Sequence, residues 1–258
     1  MKILFIGDVF GKGGRNAVKK FLPDILEREP IELVICNGEN LSHGKGILPR
    51  HYEEMMDSGV DFFTSGNHAF AKKEGTSLFE SEENIIRPAN IKVERPGIGS
   101  REFDVNGTLV RITNLLGTCF ITELEPYNAF QKLEEIVNEN KATIHIVDFH
   151  AEATAEKQAM AYAFDGKVSA ILGTHTHIQT ADDRILKGGT AYITDVGMCG
   201  SYNSVIGSER KEVLERFKTE QKTRFQVDDK ADMFCAILLD IDDKTGKANS
   251  IERIYIHP

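Results

Sequence analysis

Apolar and polar positions along the chain switch repeatedly between two periods. Residues 2–6 (KILFI) are a short continuous apolar run of the buried-strand type, whereas from 14 to 28 Val18, Phe21, Leu22 and Ile25 recur at helical spacing. Leu33, Val34, Ile35 and Cys36 form a second strand-like run, and Pro49 suits the first turn of the next helix. Residues 61–64 predict a third strand and 71–82 a helix. Between 98 and 116 two alternating runs flank Asn106-Gly107, a hairpin signal. A helix at 128–139, a strand at 143–148, a helix at 154–164 and a strand at 168–172 follow. Strands at 183–187 and 191–194 flank Gly188-Gly189, a helix covers 208–217, and 232–241 and 249–256 read as closing β-runs.

Strand–helix alternation with inserted and appended hairpins predicts an α/β fold of two packed mixed β-sheets flanked by helices. No internal repeat, low-complexity tract or linker divides residues 1–258, so a single domain is expected.

Composition narrows the function. The formal net charge is −9, from 31 basic and 40 acidic residues. That opposes a protein that grips long nucleic acid by neutralising its backbone. It does not oppose a small anionic substrate, because bound metal ions can bring positive charge. Cys36, Cys119, Cys199 and Cys235 form no CxxC pair and suggest neither a zinc ribbon nor a disulfide framework. The run before Gly7-Asp8 is too short for a signal peptide and reads as a core strand. No stretch approaches the roughly 18–20 apolar residues that would span a membrane. A cytoplasmic location is expected, and the oligomeric state is open.

Candidate chemistry collects where strands end. The segments are Gly7-Asp8, Asn37-Gly38-Glu39-Asn40, Gly66-Asn67-His68, Asp148-Phe149-His150 and Gly173-Thr174-His175-Thr176-His177. Sites in open α/β sheets form beyond the carboxyl ends of strands, so these segments should share one crevice. Their donors are carboxylates, amide oxygens and imidazoles, a set that suits iron, manganese, zinc or cobalt. They are too many for one tetrahedral ion. Two ions about 3.5–4 Å apart sharing a carboxylate would use them, clamp a phosphoryl group and generate a hydroxide at neutral pH. His175 and His177, two apart, would face the same way if they lay in a strand. Singly, each residue has a plainer reading: Asp8 as a cap, Asn67 as a turn residue, a lone His as structural. The plain reading of all five needs five coincidences. His145 reads as structural, His51 and His257 as solvent-facing, and His43 as a candidate substrate contact. Gly11-Lys12-Gly13-Gly14 matches no phosphate-loop spacing and reads as a turn into a helix.

The Gly-Asp, Gly-Asn-His, lone His150 and Gly-x-His-x-His segments resemble the calcineurin-like metallophosphoesterases. GENLSHGKG (38–46), RPAN (87–90), DFHAEAT (148–154), GTHTHIQTAD (173–182) and YITDVGM (192–198) are similar to a narrower branch, the YmdB-like phosphodiesterases, nearly end to end. Phe10 stands where the broad family has a second ligand in Asp-x-His. The resemblance implies a four-layer α/β/β/α sandwich, with Glu39 as the bridging carboxylate and Asn40 replacing the lost imidazole. It further implies one ion on Asp8, Glu39, Asn40 and His177, another on Glu39, Asn67, His150 and His175, and His68 as general acid.

The expected enzyme is a metal-dependent phosphodiesterase with two metal ions per chain, iron first and manganese as the alternative. Its expected substrates are 2′,3′- or 3′,5′-cyclic nucleotides, opened by in-line attack of a metal-held hydroxide. A phosphomonoesterase on the same metals, and a binding protein without turnover, remain the competing readings.

Overall fold

The computed structural model covers all 258 residues. In chain order the strands are Lys2–Ile6 (β1), Asp8–Val9 (β2), Leu33–Asn37 (β3), Phe62–Thr64 (β4), Ser100–Val105 (β5), Thr108–Leu116 (β6), Ile144–His150 (β7), Ala170–Thr174 (β8), Arg184–Ile185 (β9), Ala191–Ile193 (β10), Met198–Cys199 (β11), Phe234–Ile241 (β12) and Ala248–Ile256 (β13). The helices are Gly11–Arg28 (α1), Pro49–Met56 (α2), Leu78–Ser81 (α3), Ala129–Glu139 (α4), Thr154–Ala163 (α5) and Arg210–Thr219 (α6).

The alternation within β1 explains the layering. Ile3 and Phe5 enter an apolar cluster with Ile35, Phe62, Ile112, Ile146, Leu172 and Ile237, drawn from two sheets. Leu4 and Ile6 point the other way, against Val18 and Leu22 of α1 and Tyr52 and Met55 of α2. A strand buried on both faces must be apolar throughout, which is why 2–6 carries no polar residue after Lys2. The second sheet repeats the arrangement: Val147, Phe149 and Ile171 face Leu133 of α4 and Met160 of α5. Two sheets therefore pack face to face with helices outside, as expected. Each buried Leu, Ile or Phe contributes about 1.5–3 kcal/mol, so the inter-sheet cluster is a dominant stabilising layer.

The first sheet has the order β13-β12-β1-β3-β4, and the second β5-β6-β7-β8-β10-β9. β1, β3 and β4 run parallel, as do β6, β7, β8 and β10. Antiparallel strands lie at the margins. The parallel strands of each sheet thus deliver their carboxyl ends to one edge. β2 and β11 form a separate two-stranded ribbon that fixes Asp8 opposite Met198. No helix is long and apolar enough to cross a membrane.

Several local expectations are corrected. The helix expected at 71–82 is only a 3₁₀ turn at Lys73–Gly75 and the short α3. This segment presses on the 42–47 loop so closely that a Cβ on Gly75 would lie 1.8 Å from the Ile47 carbonyl oxygen. Backbone packing there overrides the helical periodicity. The strand expected at 168–172 runs later, because pairing with β7 continues to His150 and Thr174. His51, expected to face solvent, is buried, with its Nδ1 2.7 Å from Ser42 Oγ. Burial pushes its imidazole down to about 4. The 128–139 expectation holds closely, since Asn128 caps α4 by accepting hydrogen bonds from the Phe130 and Gln131 amides.

Candidate active site

The five strand-end segments meet at one edge. Asp8, Glu39, Asn40, Asn67, His150 and His177 are buried there, and His175 is half-buried. Two groups of side chains share Glu39. In the first, His150 Nε2 lies 3.1 Å from Glu39 Oε2, 3.1 Å from Asn67 Oδ1 and 3.0 Å from His175 Nδ1. The ligand atoms of Glu39, His150 and His175 all fall within 4.8 Å of one another. In the second, Asn40 Nδ2 lies 2.9 Å from Glu39 Oε1, 3.1 Å from His177 Nε2 and 3.5 Å from Asp8 Oδ1. A half-turn of the Asn40 amide would direct its oxygen there instead of its nitrogen. Gly66 makes room for the first group, because a Cβ there would lie 2.1 Å from Glu39 Oε2 and 2.5 Å from His150 Nε2.

The outer nitrogen of each inward-facing imidazole is held. His150 Nδ1 meets Thr174 Oγ1 at 2.8 Å, and that hydroxyl donates to Asp148 Oδ1 at 2.7 Å. His177 Nδ1 meets the Ile206 carbonyl at 2.9 Å, and His175 Nε2 lies 3.2 Å from Glu152 Oε2. This support fixes ring orientation and tautomer, as it does around metal-binding histidines generally. His68 differs: its Nδ1 lies 3.2 Å from both Glu39 Oε1 and Asn40 Oδ1, and its ring lines the open cavity.

The electrostatics call for a cation. Burial pushes the Asp8 carboxyl up, against the pull of His177 and His150. Glu39 stays well below the usual carboxylate range despite burial, through His150 and His68. Burial alone would depress His150, but Glu39 and Asp8 raise it to about 9. Burial and the adjacent His150 drive His175 down to about 3. Asp8 and Glu39 are buried beside imidazoles and amides, with no Lys or Arg paired to either. Buried carboxylates of this kind are costly unless a cation compensates them. Oxygen and imidazole donors converging on common points fit a metal.

The sequence profile of the YmdB-like protein family matches residues 4–254. The chain belongs to the YmdB-like family. It is 44% identical over 259 aligned residues to the 2′,3′-cyclic-nucleotide 2′-phosphodiesterase of Bacillus subtilis (strain 168), covering 100% of this chain and 97% of that protein. A crystal structure described as a phosphatase from Mycoplasma pneumoniae superposes with a TM-score of 0.96 at 39% identity, covering 100% of this chain and 93% of that one. A chain from Staphylococcus aureus described as a 5′-nucleotidase gives a TM-score of 0.63 at 17% identity, covering 100% of this chain and 55% of that one, which speaks for the fold alone.

In this YmdB-like chain the two histidines of Gly-x-His-x-His reach the site by a different route from the one expected. β8 ends at Thr174, and His175 and His177 adopt φ of 102° and 66°, outside any strand. They enter from a left-handed turn, not by strand alternation. Asp195 holds that turn: its Oδ2 accepts from the Thr176 amide at 3.0 Å and hydroxyl at 2.8 Å, and pairs with buried Lys157 Nζ at 2.8 Å. Neither Asp195 nor Lys157 was singled out in the sequence, although Asp195 lies in the YITDVGM segment; their pairing joins residues 38 apart. Phe10 stacks edge-on against His177, with ring centroids 5.3 Å apart. His43 lines the cavity, and His145 is a buried strand residue bonded to Thr113 Oγ1 at 2.8 Å. His257 is exposed.

Proposed function

We propose that this YmdB-like chain opens 2′,3′-cyclic nucleotides at a two-metal centre. Asp8, Glu39, Asn40 and His177 would hold one ion, and Glu39, Asn67, His150 and His175 the other. The chain is a hydrolase acting on phosphoric diester bonds. The observation that carries the two-metal reading is Glu39, which turns Oε1 to one donor group and Oε2 to the other. Oxygen and imidazole donors without thiolate favour iron, with manganese as the alternative. Bound there, the ions would supply Lewis acidity and a nucleophile at neutral pH.

Its own residues do the rest. Held at Nδ1 by the Glu39 carboxylate, His68 lines the cavity and gives a proton from Nε2 to the departing oxygen. Water adds to phosphorus, the P–O2′ bond breaks, O2′ takes the His68 proton, the proton that water loses restores His68, and a 3′-phosphomonoester remains. The bond assignment follows the name of the Bacillus relative.

The test is elemental analysis of protein purified without chelator, followed by assays with 2′,3′-cyclic AMP, 3′,5′-cyclic AMP, single-stranded RNA and a phosphomonoester. Two metals per chain and turnover of the 2′,3′ compound are expected. One metal or fewer at full activity would sink the shared-carboxylate reading, and turnover of the monoester alone would make the protein a phosphatase.

A further inference from the structure

Beside the metal-binding edge lies an open cavity of about 580 Å³. Lys45, Lys72 and Arg224 line it, from three separate segments of the chain. None of the three has a carboxylate within 4.0 Å. Glu39 and Glu152 are the carboxylates lining the cavity, and they face His150 and His175 respectively. A chain of net charge −9 therefore gathers three unpaired cations around one pocket. A free 2′,3′-cyclic nucleotide carries a single negative charge, on the phosphate that bound metal ions would take. The three cations would then face only neutral ribose and base.

A second cavity of about 500 Å³ shares His43, Arg224, Phe225, Gln226 and Val227 with the first and ends at Asp229. The groove thus continues past Arg224. Phe225 stands at that junction with 41% of its surface exposed and the Arg216 guanidinium 5.1 Å from its ring centroid. An exposed aromatic ring beside cations is the usual platform for a nucleobase, tolerant of base identity.

We propose that the preferred substrate is the 2′,3′-cyclic phosphate end of a short oligoribonucleotide. Its terminal nucleotide fills the first cavity, the preceding phosphate meets Arg224 with Lys45 and Lys72, and the preceding base stacks on Phe225. This rests on the cyclic phosphodiesterase reading above and leaves its chemistry unchanged. Asp229 and the acidic surface oppose further phosphates, so the strand is held only near its end.

The test compares kcat/KM for adenosine 2′,3′-cyclic phosphate, the same compound with a 5′-phosphate, and the dinucleotide ApA ending in a 2′,3′-cyclic phosphate. The dinucleotide should exceed the plain mononucleotide by about tenfold or more, since a charge-assisted contact is added. Raised salt should shrink that ratio. Arg224→Ala and the pair Lys45→Ala, Lys72→Ala should bring the ratio toward one. Phe225→Ala should lower the dinucleotide's advantage but not that of the 5′-phosphorylated mononucleotide. If the 5′-phosphorylated mononucleotide matches the dinucleotide, the oligonucleotide assignment is overturned in favour of a mononucleotide bearing two phosphates. Equal turnover of all three overturns the second-anion subsite and leaves the phosphodiesterase standing. No turnover of any cyclic phosphate overturns the phosphodiesterase reading itself.

Discussion

Glu39 and His68 touch, yet they should respond differently to substitution. His68→Ala removes a group with one face on the cavity and should keep both metals while kcat falls about 10²–10⁴-fold, the range for a general acid. Glu39→Ala removes the carboxylate common to both donor groups and should lose metal as well as activity. Metal content and kcat measured on the same samples would decide, and a metal-free His68→Ala protein would reverse the assignment. His145 offers an independent prediction about acid stability. Burial, with Arg111 nearby, drives its imidazole down to about 3. The unfolded chain binds that proton near the ordinary value of about 6.5, so the folded state loses stability as pH falls below it, by about 1.4 kcal/mol per unit. His145→Gln should therefore lose about 2 kcal/mol less than the parent between pH 7 and pH 5 in urea unfolding. Equal losses in both proteins would refute it.

At the scale of an element, the turn after β8 shows how support is distributed. Thr174 backs His150, His175 and His177 face inward, and Thr176 faces Asp195. Asp195→Asn would leave Lys157 charged and buried without a partner, a change that commonly costs about 3–5 kcal/mol. It should also loosen the turn, weakening metal binding about 10–100-fold. Lys157→Met, which removes the charge but leaves the Asp195–Thr176 bonds, should spare metal affinity far more. Titration of the metal-free proteins would show it, and undiminished affinity in Asp195→Asn would break the link between this pair and the site. The same turn shows a limit of periodicity. His175-Thr-His177 has strand spacing, but the left-handed φ of both histidines answers to the anchors at Asp195 and Ile206, not to local alternation.

Across the whole molecule the candidate metal centre ties the two sheets together. Glu39 follows β3 of the first sheet, whereas His150 and His175 come from the ends of β7 and β8 in the second. Chelation should consequently lower the unfolding temperature and metal should restore it, since a ligand present at 100 times its Kd adds about 2.7 kcal/mol. Identical calorimetric traces with and without chelator would argue against the centre. The periods of the strands and helices, the donor types and their positions at strand ends are legible along the chain, because each is a local property of neighbouring residues. It also carried the family resemblance through contiguous strings such as GENLSHGKG and GTHTHIQTAD. Which nitrogen of each histidine faces inward, the burial of His51, the break-up of 71–82, and the gathering of Lys45, Lys72, Arg224 and Phe225 around one groove arise only on folding. These depend on contacts between residues distant in the chain, formed when parallel strands deliver their carboxyl ends to a common edge, and no local period encodes them.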